Sequence, residues 1–289
     1  MLRICIYTSL CRLRFMLQIC VITVMIVLIS STSFAKEKQY TVGIVPQFET
    51  KRLYKIWRPI LDELERKTGL RFTLKGSTNI PDFENEFMSG SFDFAYMNPY
   101  HFMMASKSED YIPLVRDVGR SLNGVLVVRK DNAIQTVKEL NHKKVAFPSP
   151  NAVGASLLMR QELTDDFSIT VDPIYVQSHD SVYLNVAIGK AVAGGGVQAT
   201  FNRQRPEIRD RLRIIHSTTA IPPHPFAAHS TVPAEIRDKV RNALLAIGES
   251  SDGKQMLSQV PIKQLGTASM ADYAPLGDMK LNRFYISSN

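Results

Sequence analysis

From residue 40 onward the chain alternates short β-rich runs with segments of helical periodicity, the pattern of an α/β protein with largely parallel sheets. YTVGIV (40–45) reads as a strand. Across 51–67, Leu53, Ile56, Trp57, Ile60, Leu61 and Leu64 recur at i, i+3, i+4, i+7, i+8 and i+11, one apolar helix face closed by Gly69. Pro59 within it implies a kink or a broken first turn. RFTLKG (71–76) returns as a strand, 82–89 as a short helix stopped by Gly90, and FDFAYM (92–97) as a buried strand. A second series follows: strand 125–130, helix 134–140, strand 143–147, helix 152–163, strand 169–176, helix 179–188, strand 191–197 and strand 213–218. IPPHPFAAHS (221–230) is too rich in proline for a sheet interior and reads as a connector, with His224 and His229 in structural roles. Helices at 233–248 and 253–258 close the pattern.

Two α/β halves joined by crossings near 119–128 and 218–230 account for this order. The expected organisation is a first lobe from 36–122 and 226–289, discontinuous, and a second, continuous lobe from 123–225. Such lobes hold a ligand between them, where strand ends and helix N-termini converge.

The first 35 residues differ in kind. Arg3, Arg12 and Arg14 precede the apolar run LQICVITVMIVLI (17–29), and small and polar residues follow to Ala35, the order of a secretory signal. All three cysteines of the 289-residue chain, Cys5, Cys11 and Cys20, lie in this segment. The chain beyond it therefore has no disulfide, thiol nucleophile or cysteine metal ligand. The formal charge of +8 includes those three arginines, leaving a mildly basic +5 that suits an acidic small ligand. The arginines of FNRQRPEIRDRLR (201–213) read as a solvated face, not a nucleic-acid patch, because no aromatic residues interleave with them.

Three stretches carry chemistry. In AFPSPNAVGASLLM (146–159), Pro148 and Pro150 fix a bend after a strand, Asn151 is a favoured N-cap, and the amides after it open a helix. Free amides at the positive end of a helix dipole make an anion site, although an ordinary capped turn has the same residues. FDFAYMNPYHF (92–102) puts Tyr96, Asn98 and Tyr100 at the end of a buried strand. Asn98 is placed either to donate to an oxyanion or to cap the helix that opens at Pro99. In QSHDSVYLNVAIGKAVAGGGV (177–197), Ser178 is a candidate cap with His179 in the first turn, where a histidine can donate to an anion. The three glycines 194–196 imply close approach of a ligand or of another segment.

DFAYMNPYHF, VLVVRKDNAI…VKELNHKKVAFPSPNAVGASLLM and VQSHDSVYLNVAIGKAVAGGGV, in that order, resemble the periplasmic phosphate/phosphite/phosphonate-binding proteins of ABC transporters. The resemblance spans roughly 40–260 and implies the two-lobed type II periplasmic-binding fold with two hinge crossings. It places the helix-start contacts on Ser149, Asn151, Ala152 and Val153, the histidine on His179, and the first-lobe contacts on Tyr96, Asn98 and Tyr100. Asn-Ala-Val stands where family members carry a Ser-Thr-Ser type run, and Gln198 follows the last cleft strand where an acid is common. The implied role is a periplasmic receptor, monomeric and free of metal and cofactor. It passes a small oxyanion to a membrane ABC permease. A ligand sensor feeding a membrane histidine kinase is the alternative, and an enzyme on the same fold is a third. The chain beyond the leader has no HExxH, GxSxG or phosphate-cradling GxxxxGKS to support the last.

Overall fold

The structure, a computed structural model, describes residues 38–286; the expected leader lies outside the described residues. Strand β1 (Gln39–Ile44) is followed by helix α1 (Thr50–Thr68), β2 (Arg71–Gly76), α2 (Ile80–Met88), β3 (Phe94–Tyr96), α3 (Pro99–Glu109) and β4 (Ile112–Asp117). The chain continues through β5 (Gly124–Arg129), β6 (Lys144–Phe147), a π-helical turn (Val153–Leu157) that runs into α4 (Leu158–Asp165), and β7 (Asp172–Tyr175). Then come α5 (His179–Ala187), β8 (Ala193–Val197), β9 (Leu212–Ser217), β10 (Pro225–Ala228), α6 (Ala234–Glu249), α7 (Ser251–Gln259) and β11 (Leu265–Thr267).

The strands form two sheets, β11-β4-β10-β3-β1-β2 and β7-β6-β8-β5-β9. Segment 118–123 carries the chain from the first sheet to the second, and 218–224 brings it back. The two crossings pair antiparallel at their middle, with Leu122 N donating to Ile221 O at 2.9 Å and Ile221 N to Leu122 O at 3.0 Å. The expected α/β class with two sheets and two crossings is what the chain forms.

Helix α1 buries all six residues of its predicted face, Leu53, Ile56, Trp57, Ile60, Leu61 and Leu64, and ends on Gly69 at φ 68°. That positive φ is a left-handed C-terminal stop, which glycine adopts without the steric cost of a Cβ. The helix continues through Pro59 without a break. Helix α2 opens with Asn79 Oδ1 accepting from Asp82 N at 2.9 Å, with Pro81 in its first turn.

Three expectations are corrected. The sheets are mixed: β1 runs parallel to β2 and β3, and β6 to β7 and β8, but β10, β4 and β11 pair antiparallel and β5 opposes both β8 and β9. The proline-rich connector contains β10, an interior strand between β3 and β4. Pro225 opens this strand, where a missing N–H interrupts no established ladder, and Phe226, Ala227 and Ala228 supply the buried interior. The helix expected over 134–140 is a single 3₁₀ turn, Val137–Leu140.

The glycines of β8 answer the question they raised, because neighbouring chain segments press on them. A Cβ on Gly195 would stand 2.2 Å from Ala155 O, and one on Gly196 would stand 2.0 Å from the Tyr183 hydroxyl. Small residues at the start of the 153–165 helix serve packing too. A Cβ on Gly154 would meet Leu122 Cδ2 of the first crossing at 2.4 Å.

Candidate functional site

The two sheets present the ends of β1, β3, β6 and β8 to a common gap. A tight cavity of about 30 Å³ lies there, lined by Pro46, Gln47 and Asn98 of the first sheet's loops and by Ala152, Val153, Gly154, Ala155 and His179 of the second. A wider chamber of about 300 Å³ adjoins it, with Gln47, Leu122, Val197 and His224 common to both linings.

His179 occupies the first helical position of α5, behind Ser178, whose Oγ accepts from Ser181 N at 3.1 Å. The imidazole is 7% exposed and its Nδ1 has no hydrogen-bond partner. Burial drives its pKa from 6.5 down to about 4, against a smaller upward pull from Asp180, so the ring is neutral at pH 7. A buried polar nitrogen without a partner costs about 1–3 kcal/mol, which an incoming hydrogen-bond partner would recover. The helix opening opposite contributes its early backbone amides. Ser156 N and Leu157 N both turn back to Ala152 O, at 2.7 and 3.2 Å, and the residues before them have no intrahelical acceptor by position.

Asn98 caps the helix that follows it, as one of its two readings allowed. Its Oδ1 accepts from His101 N at 2.8 Å, capping α3, while its Nδ2 reaches Asn151 O at 3.3 Å across the gap. Asn151 does not cap its helix. Its side chain donates to Glu84 Oε2 at 2.9 Å and to Ile286 O at 2.8 Å, and accepts from Ile286 N at 3.0 Å. Ala152 holds the cap position with no side-chain bond. Ser149 is buried and does not line the cavity, and its Oγ accepts from Asn151 N at 3.3 Å.

The remaining candidates divide. Tyr96 and Gln198 line the wider chamber, where Gln198 Nε2 is tied to Asn202 Oδ1 at 2.6 Å. Tyr100 leaves the gap: it follows the cap by two residues, so the helix turns its ring away against Tyr285. There it lines a separate apolar pocket of about 620 Å³ with Met88, Met103 and Met104.

Two residues that line both spaces were not among the sequence candidates, Gln47 and His224. The amide Nε2 of Gln47 lies 2.7 Å from His224 Nε2, and His224 stacks on Tyr96 with ring centroids 5.4 Å apart. An amide nitrogen only donates, so His224 Nε2 accepts and its ring is neutral. Burial, followed by repulsion from His101 and His179, pushes the His224 pKa down to about 3. Expected only in a structural role, His224 lies in the lining of both spaces. The signal for Gln47 was present, three residues past a parallel strand's C-terminal end. His224 needed the direction of β10. That strand is antiparallel to β3, with Phe226 opposite Tyr96, so the residue before it arrives at the same sheet edge.

The sequence model described as "ABC transporter, phosphonate, periplasmic substrate-binding protein" matches residues 42–273. The chain is 22% identical over 234 residues to the phosphate-import protein PhnD of Mycolicibacterium smegmatis, covering 73% of each. In fold it is similar to a binding protein component of an ABC phosphonate transporter from Pseudomonas aeruginosa, with a TM-score of 0.76, 16% identity, and 88% and 90% of the two chains covered. It is also similar to PhnD1 from Prochlorococcus marinus in complex with methylphosphonate, with a TM-score of 0.77, 18% identity, and 86% and 100% covered. The expected family and transport role are thereby borne out, and the chain belongs to the periplasmic substrate-binding proteins of phosphonate ABC transporters.

Proposed function

We propose that the inner cavity is the binding site for the phosphorus oxyanion and that the two sheets with their helices act as lobes opening about the paired crossings. Each lobe supplies polar groups to one small space. The second lobe brings the His179 imidazole and the amides around Val153–Ala155, the first brings the Asn98 amide, and Gln47 and His224 close one side. The observation that carries this reading is the His179 Nδ1, buried without a partner at a helix N-terminus in the gap between the lobes. Neutral donors aimed into a water-poor space select an oxyanion by geometry and number of hydrogen bonds. Opening about the crossings would widen this narrow gap for entry, and closing again is how a hinged receptor commits its ligand before docking on a permease. Residues 1–35 as an export leader, cleaved to release the receptor as a monomer into the periplasm, complete the proposal.

Calorimetric titration with phosphate, phosphite, methylphosphonate and sulfate tests it. Saturating ligand at about 100 times its dissociation constant stabilises the fold by about 2.7 kcal/mol. His179→Ala should weaken binding about tenfold or more, the worth of one hydrogen bond to a charged group. Unchanged affinity in that variant would remove His179 from the site.

A further inference from the structure

The wider chamber has a charge pattern that the oxyanion site does not use. Its lining contains one acid and one base, Asp117 and Arg120. The acid is fully engaged. Asp117 Oδ1 accepts from Gly119 N at 2.9 Å and Gln264 N at 3.0 Å, while Oδ2 accepts from Lys263 N at 2.8 Å and Arg120 Nε at 2.9 Å. Its side chain is 3% exposed. Arg120 spends only Nε on this contact, and its Nη1 and Nη2 make no hydrogen bond among the described residues. A guanidinium anchored by Nε to a buried carboxylate presents its remaining edge as a fixed fork, the geometry that matches a carboxylate or a phosphate.

The surroundings add positive potential. Burial, followed by repulsion from Arg120 and Arg52, lowers the pKa of Arg203. Arg52 pairs with Asp180 at 3.3 Å, and Arg203 donates to the backbone carbonyls of Ser258 and Gln259. Asn123 also reaches the chamber with its side-chain carbonyl uncommitted, since its bond to Thr218 O at 3.3 Å uses Nδ2. The chamber, about 300 Å³ against about 30 Å³ for the inner cavity, begins at their shared wall of Gln47, Leu122, Val197 and His224 and offers the larger space for a substituent.

We infer that the ligand is an organic phosphonate or phosphate ester whose substituent ends in a second anionic group, held by Arg120 in the outer chamber. This rests on the oxyanion reading of the inner cavity. The phosphorus group would sit at His179 and the substituent would pass between His224 and Val197. A cationic substituent would meet Arg120 with no free acid to offset it, so the chamber discriminates by charge as well as by size.

The test is a calorimetric series on the protein without its leader. The probes are inorganic phosphate, methylphosphonate, 2-aminoethylphosphonate, and carboxyalkylphosphonates with one, two and three methylenes between phosphorus and carboxylate. At least one carboxyalkylphosphonate should bind about tenfold to a hundredfold more tightly than methylphosphonate, the range of a charge-assisted hydrogen-bonded pair. In Arg120→Gln that ratio should fall toward one, and in Arg120→Lys it should be partly retained. Should the glutamine variant fail to fold, the wild-type series still decides. Equal affinity for methylphosphonate and every carboxyalkylphosphonate, preference for the aminoethyl compound, or a ratio unmoved by Arg120→Gln overturns the inference while leaving the oxyanion site standing. Binding of no probe at all overturns both.

Discussion

Replacing His179 by Gln should flatten the dependence of stability on pH. The ring titrates near 6.5 when unfolded and at about 4 in the fold, held down by burial. Between those values the unfolded chain binds a proton that the folded chain refuses, so stability rises with pH through this window and is lost as pH falls through it. The gap of about 2.5 at about 1.4 kcal/mol for each pH unit gives about 3 kcal/mol, fully lost by pH 4. His224, pushed down to about 3, acts with the same sign, and its protonation also breaks the bond from Gln47. The two together give a slope of up to about 2.7 kcal/mol per pH unit below 6. Urea denaturation at half-unit steps from pH 7 to 4.5, with and without the substitution, isolates one of them: His179→Gln should remove about half of the slope from the paired histidines. Absolute stability at pH 7 is not the readout, since the amide leaves its own buried groups to satisfy. Parallel curves for the two proteins across pH 6.5 to 4.5 would refute the claim that His179 is held neutral by burial.

Two further outcomes follow from packing. Glu84, 1% exposed, accepts from Asn151 and Tyr285 and sits 2.8 Å from the fully buried His101 Nε2, so Glu84→Ala should cost about 3–5 kcal/mol by stranding its partners; a loss under 1 kcal/mol in chemical denaturation would contradict this. Gly196→Ala places a methyl on the Tyr183 hydroxyl and should cost about 1–3 kcal/mol, while Tyr183→Phe in the same chain should relieve part of it; additive losses would show that the two do not meet.

The α/β order was legible because helix α1 and the strands declare themselves through short-range periodicity, and periodicity survives in any tertiary setting. The misreading of 221–230 shows where that stops. Proline content argues against a strand only where an interior N–H is needed, and sequence alone did not reveal that Pro225 would open one. Asn151 illustrates a different limit. Its local context is that of an N-cap, but its side chain is claimed by Ile286, 135 residues away, and by Glu84, 67 residues away. No local rule anticipates a partner at that distance. Tyr100 was within reach of a local rule, since Asn98 as the cap fixes which residues of the next turn face the gap.

On the proposed reading, the two parts of the gap divide the work of recognition in a way that the charge count alone would not suggest. A mildly basic chain suggests an anion held by cations, yet both histidines at the inner cavity are neutral, and Arg120 and Asp117 line only the wider chamber beside it. Neutral donors fix geometry without a large Coulomb term, so the affinity of the inner site should depend weakly on salt. Arg120 on the chamber wall and the exposed Arg52 and Arg203 are reached by solvent, where screening acts over about 8 Å at physiological ionic strength. Their field raises the local concentration of anions and the association rate, and both effects fall with added salt. Stopped-flow titration of methylphosphonate from 20 to 500 mM salt should therefore lower the association rate far more than it raises the dissociation rate. The opposite partition would place a cation against the bound oxyanion and remove the neutral imidazoles from their role.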